Sequence, residues 1–182
     1  MDSKEELRKR FLVLRRDIVD RETKNKTILE KLLKLDEFCS AKKIFCYAGI
    51  GGEVDTKGIF EYCIANKIEI YLPVILEDGI MCGQMVETVE DIKYYNPTTH
   101  IADDSNRFLA YDVIISPLVA VDTIKTRLGR GGGYYDKFLA AAPRQLISIG
   151  LAYDEQVSIK PIPAEFHDRP LDIIITPTKV IK

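Results

Sequence analysis

A length of 182 residues allows one domain with a sizeable core. The 46% hydrophobic and 30% charged content excludes a disordered or fibrous chain. A formal net charge of −2 argues against a general nucleic-acid binder. The charge is uneven: residues 1–43 hold thirteen Lys/Arg against nine Asp/Glu, and the remainder thirteen against nineteen. The basic excess reads first as solvated helix faces, with some capacity to help hold an anion. No apolar run approaches the roughly 18 residues of a membrane span, and the charged N-terminus lacks a signal-peptide core. Cys39, Cys46, Cys63 and Cys82 form no CxxC pair and read as reduced residues in or near the core. A cytoplasmic protein is expected.

In chain order, Leu7, Phe11, Leu14 and Ile18 make one apolar stripe of a helix from about Ser3 to Asp20. Lys4 and Arg8 stand one turn apart on another face. A second helix carries Ile28, Leu29, Leu32, Leu33 and Leu35. Ile44 to Ala48 is a short run of strand formers, broken by Gly49, Gly51 and Gly52. Asp55 or Thr56 can cap a helix bearing Ile59, Phe60, Cys63 and Ile64. Strands follow at Ile68–Val74 and Ile80–Val86, then a polar stretch over 87–110 read as a loop with a short helix. Val113-Ile114-Ile115 is a central strand, with Leu118–Val121 extending it or pairing beside it. A helix to about Ala142, a strand over Leu146–Ala152 and a last strand over Leu171–Thr176 complete the chain. Strands alternating with helices predict a mainly parallel sheet covered on both faces, with ligands at the carboxyl ends of its strands. No linker or repeat divides residues 1–182, so a single α/β domain is expected.

The segment Arg127-Leu128-Gly129-Arg130-Gly131-Gly132-Gly133-Tyr134-Tyr135-Asp136 carries the most chemistry. Glycines let a backbone approach a ligand closely and aim its N–H groups. The following helix adds the positive end of its dipole, and two arginines add forked donors. This suits a polyphosphate. The spacing matches neither GxxxxGK[ST] nor GxGxxG, and a tight strand-to-helix connection would account for the glycines but not for the arginines. Asp136 either answers the helix dipole or holds Mg²⁺ beside phosphate oxygens. Glu53, in a glycine-rich bend after the first strand, is either a solvated acid or a carboxylate for a nitrogen-rich ligand. Lys4 and Arg8 by themselves read as surface residues, and His167-Asp168 as surface decoration. With His100 and His167 the only histidines, no GxSxG and no zinc-ligand spacing, hydrolase and zinc chemistry are disfavoured.

Taken together, these residues resemble the 5-formyltetrahydrofolate cyclo-ligase (5,10-methenyltetrahydrofolate synthetase) family. The similarity runs through Lys4-Glu5-Glu6-Leu7-Arg8, Glu53-Val54-Asp55-Thr56, the whole of Arg127 to Asp136, and a tail with Pro163, Asp168 and Thr176. Departures from the family pattern fall at Val121, at Lys125 where a glycine is common, and around Tyr95-Asn96-Pro97. The resemblance implies a Rossmann-like fold of the sugar-phosphate isomerase/CoA-transferase kind. It implies ATP- and Mg²⁺-dependent conversion of 5-formyltetrahydrofolate to 5,10-methenyltetrahydrofolate, with release of ADP and phosphate. For ATP it implies Lys4, Arg8, Arg127, Leu128, Gly129, Arg130, Gly131, Gly132, Gly133, Tyr134 and Tyr135. For the folate it implies Ala48, Glu53 and Arg130 through Tyr134, with Arg130 catalytic and Asp136 and Asp168 as the Mg²⁺ ligands. A monomer without nucleic-acid or membrane partners is the corresponding expectation. An ATP-independent enzyme on a similar fold, or a module that binds ATP without turnover, would be the competing readings.

Overall fold

The computed structural model describes residues 2–93, 95, 110–165 and 168–182. Asn96, Pro97, His100, His167 and most of the expected 87–110 loop lie outside them.

Seven strands form the main sheet: β1 (Lys43–Cys46), β2 (Glu69–Ile75), β3 (Met81–Val86), β4 (Val113–Ser116), β7 (Ile147–Leu151), β9 (Ile173–Ile175) and β10 (Val180–Ile181). Their order is β10-β9-β7-β4-β1-β2-β3. The five central strands run parallel, and the edge strands β3 and β10 pair antiparallel. Central strands buried on both faces need continuous apolar runs, which is what Val113-Ile114-Ile115 and Ile173-Ile174-Ile175 supply. Ile44, Cys46, Ile115 and Ile173 face α2 (Arg21–Leu32), α3 (Asp36–Cys39) and α4 (Lys57–Ala65). Phe45, Ile114 and Ile174 face the other way, toward Leu139 of α6 (Tyr134–Ala141). The expected mainly parallel sheet with helices on both faces is present. A short helix, α5 (Val89–Lys93), opens the polar stretch.

The Leu118–Val121 strand does not extend β4. As β5 (Ala120–Asp122) it joins a second, three-stranded sheet between β6 (Arg127–Leu128) and β8 (Val157–Ser158). Buried Asp122 pins this sheet: its Oδ1 accepts from the Ile124 and Thr126 amides and its Oδ2 from that of Ile162. α1 (Lys4–Arg16) packs Leu7 and Phe11 on this sheet, against Val119, Ala120 and Leu128. A capping box between Ser3 and Glu6 fixes its start. The helix ends before Ile18, and Leu14 is exposed while Arg15 is buried. The buried line on α1 therefore drifts from Leu7-Phe11-Leu14 toward Phe11 and Arg15.

Candidate active site

Two loops face each other across one cavity. The first follows β1. Thr56, at the cap position of α4, does not cap the helix with its side chain. Its hydroxyl instead donates to the Tyr47 carbonyl at 2.7 Å and accepts from the Gly49 amide at 3.1 Å, cinching the loop at its base. The Tyr47 hydroxyl donates to the Val54 carbonyl, and Glu53 Oε2 accepts from the Ile50 amide at 3.1 Å. The second loop runs from β6 into α6. Gly131 (φ 104°) and Gly133 (φ 71°) lie in the left-handed region, where a side chain would be strained. Gly133 precedes α6 with no side-chain cap, so the first amides of that helix are left for a partner outside it.

The cavity between the loops measures about 660 Å³. Tyr47, Ala48, Ile50 and Glu53 line one side, and Arg127, Gly129 to Gly133, Tyr134, Tyr135 and Asp136 the other. Pro73, Ile75, Met81, Tyr95 and Pro117 complete the wall. A polar cradle facing an apolar, aromatic wall is the composition of a small-molecule site.

An ion pair bridges the two sides. Glu53 Oε1 accepts from Arg130 Nε at 3.0 Å and lies 2.9 Å from Arg130 Nη2, which also donates to the Ile50 carbonyl at 3.2 Å. The Glu53 side chain is only 5% exposed, whereas that of Arg130 is 47% exposed. Arg127 pairs with Asp136, donates to the Pro117 carbonyl at 3.3 Å and lies over the Tyr135 ring. Arg127 Nε and the Tyr135 hydroxyl are buried with no hydrogen-bond partner among the described residues, leaving two donors beside the cavity. Burial pushes the Tyr47 and Tyr135 phenols well above their ordinary pKa, so both stay protonated.

Of the residues expected at the site, Ala48, Glu53, Arg127, Arg130, the four glycines, Tyr134, Tyr135 and Asp136 converge on the cavity. Leu128 points its side chain into the core with Leu7 and Phe11. Arg8 reaches the outside of the cradle, donating from Nε to the Gly129 carbonyl at 2.9 Å. Lys4 is held at 2.7 Å by Asp168 and at 2.9 Å by Glu165. Asp136 and Asp168 are thus engaged with different cations, one against Arg127 and one against Lys4. Among the described residues, no group of three His, Cys, Asp or Glu side chains could by itself cage a metal. A carboxylate beside a phosphate cradle still fits Mg²⁺, which takes most of its ligands from phosphate and water; Asp136 has that position.

Sequence reasoning missed two arginines. Arg15 Nη2 donates to the Gly51 carbonyl at 2.9 Å, and Arg21 Nη1 to the Gly52 carbonyl at 2.9 Å. Arg21 also donates to the Arg15 carbonyl. A signal existed for the first: Lys4, Arg8, Phe11 and Arg15 recur at helical spacings of four, three and four, one stripe facing the loops.

An α/β fold with a glycine-rich, arginine-lined cradle at a helix N-terminus offers the donors that suit an anion. The profile of the 5-formyltetrahydrofolate cyclo-ligase family matches residues 1–177. The 5-formyltetrahydrofolate cyclo-ligase of Escherichia coli strain K12 is 30% identical over 148 residues, 77% of this chain and 80% of the relative. The 5,10-methenyltetrahydrofolate synthetase of Aquifex aeolicus, solved by NMR, superposes with a TM-score of 0.78 at 28% identity, covering 98% of this chain and 92% of that one. That of Mycoplasma pneumoniae gives 0.74 at 29%, covering 97% and 99%. The chain belongs to the 5-formyltetrahydrofolate cyclo-ligase family.

Proposed function

We propose that residues 1–182 form one cyclo-ligase domain, on a sheet of the sugar-phosphate isomerase/CoA-transferase kind. It converts 5-formyltetrahydrofolate to 5,10-methenyltetrahydrofolate at the expense of ATP, as a cytoplasmic monomer. The observation that carries this reading is the Glu53–Arg130 pair, which joins a buried carboxylate and a glycine cradle within one cavity. The carboxylate suits the amino-pyrimidine edge of a pterin, and Ala48 beside it leaves room for a flat ring. The cradle suits a triphosphate.

The chemistry explains why both are needed. A formamide oxygen is a poor leaving group and N10 a weak nucleophile. Phosphorylating the formyl oxygen turns it into a leaving group; N10 then attacks the carbon and phosphate departs. No protein nucleophile is required. The chain's task is to align two ligands and stabilise phosphoryl charge. Gly129 to Gly133 and the start of α6 offer amides to the phosphates. Arg127 is fixed by Asp136 along the cradle wall. Arg130, exposed at the cavity, is the cation able to follow the transferred group. Lys4 and Arg8 extend positive charge to the far phosphates once Lys4 leaves its carboxylates. Asp136 would hold Mg²⁺, with Asp168 as a second ligand; the ion would neutralise β- and γ-phosphate charge. Folate-dependent ADP release is the test. ADP released at the same rate with and without 5-formyltetrahydrofolate would contradict the proposal.

A further inference from the structure

Arg15 occupies the last turn of α1, where a basic side chain ordinarily lies in solvent against the helix dipole. Here it is 4% exposed. One arm is satisfied, since Nη2 donates to the Gly51 carbonyl at 2.9 Å. The other is not. Nη1 lies 3.8 Å from Glu53 Oε1, beyond hydrogen-bond reach, and has no partner among the described residues. The oxygen it approaches already accepts from Arg130.

The two cations on Glu53 are unlike. Arg15 is fixed: Arg21 holds its backbone carbonyl and donates to Gly52 and Ile18. Arg130 stands at the cavity, half exposed. A carboxylate buried as deeply as Glu53 is costly to leave unpaired. With Arg130 as its sole counter-ion, that arginine would be pinned to it. Burial and the nearby Arg130 and Arg21 lower the pKa of Arg15, while Glu53 raises it. Two guanidiniums share one carboxylate, and departure of the exposed one relieves its repulsion of Arg15.

We infer that Arg15 is the standing counter-ion of Glu53, whose spare donor takes over Oε1 when Arg130 leaves that carboxylate for a bound phosphate. This rests on the cavity being the nucleotide and folate site proposed above. It makes Arg15 a positioning residue that acts through Arg130.

Arg15→Lys keeps the charge beside Glu53. Arg15→Gln keeps a donor for Gly51 but no charge. ATP affinity by calorimetry on both, with and without Arg130→Ala, separates the roles. We expect Arg15→Lys to stay within roughly threefold of the wild type. Arg15→Gln should weaken ATP binding roughly 10- to 100-fold, the value of a charge-assisted phosphate contact. Arg130→Ala should then add little on the Gln background, although it costs a similar factor in the wild type. Wild-type ATP affinity in Arg15→Gln, or an Arg130→Ala effect of equal size on both backgrounds, overturns the inference. If Arg15→Gln does not fold, the wild type decides. NMR of the arginine side-chain N–H groups should show the Arg130 and Arg15 signals both shifting on ATP binding, as one exchanges carboxylate for phosphate and the other gains the carboxylate; an Arg15 signal that ATP leaves unchanged overturns the exchange. A wild type that binds ATP but makes no methenyl product contradicts the folate reading alone, and the ATP data still decide the exchange.

Discussion

Arg130 and Arg127 both belong to the glycine segment, yet one is exposed at the cavity and the other buried against Asp136 and Tyr135. Arg130→Ala should therefore lower turnover about 100-fold or more, the effect of removing one donor to developing charge. Its melting temperature should fall only modestly, because Arg15 remains beside the buried Glu53 carboxylate. Unaltered steady-state kinetics would contradict the cradle assignment. Of the departures from the family pattern, Tyr95 lines the cavity, whereas Val121 and Lys125 lie away from it. Val121 is buried in β5. Lys125 adopts φ 68°, which explains the glycine common at that position, and its ammonium donates to the Asp172 carbonyl at 3.0 Å. Lys125→Gly should stay within about 1 kcal/mol of the wild type, the lost hydrogen bond offset by relief of the left-handed backbone. Lys125→Val should destabilise by about 2 kcal/mol, since a β-branched residue tolerates that conformation least. Urea unfolding measures both.

Elements were legible where one periodicity ruled. The apolar runs at 44–46, 113–115 and 173–175 announced parallel strands, and the glycine segment announced a strand-to-helix turn. What stayed hidden were features set by long-range partners. Nothing local in Leu118–Val121 says that it leaves the main sheet to pair with Arg127-Leu128 and Val157-Ser158. Nor does the α1 stripe say that Arg15, rather than Leu14, turns inward, because that depends on Glu53 thirty-eight residues later. The site's parts were legible as motifs, whereas their pairing, Arg130 with Glu53 and Lys4 with Asp168, needed the fold. The small sheet carries the cradle, and Asp122 ties that sheet together. Asp122→Ala would leave three backbone amides without their carboxylate and should cost about 3 kcal/mol or more. Differential scanning calorimetry would show this as a lowered transition; an unchanged one would refute the role given to Asp122.

For the whole molecule, burial of phenols and thiols ties stability to pH. Burial raises the pKa of Tyr71 from 10.0 to about 12 and of Cys63 from 9.0 to about 12, and lifts Tyr47, Tyr95, Tyr111 and Tyr135 in the same direction. Each group stays neutral in the fold while the unfolded chain would ionise. Their contribution is complete below the unfolded values and is lost as pH rises through the folded ones. Stability should fall steadily from pH 9–10 toward 12, with most tyrosinate absorbance appearing only as the chain unfolds. Tyrosines that titrate at their ordinary value in the folded protein would contradict this packing.

Whether one cavity joins a folate to ATP is decided by mixing the protein with 5-formyltetrahydrofolate, Mg²⁺ and ATP and following the near-ultraviolet band of the methenyl product. The band should grow only when ATP is present and be nearly lost in Arg130→Ala. A band that grows equally without ATP, or none while both ligands bind, would contradict such a joint site.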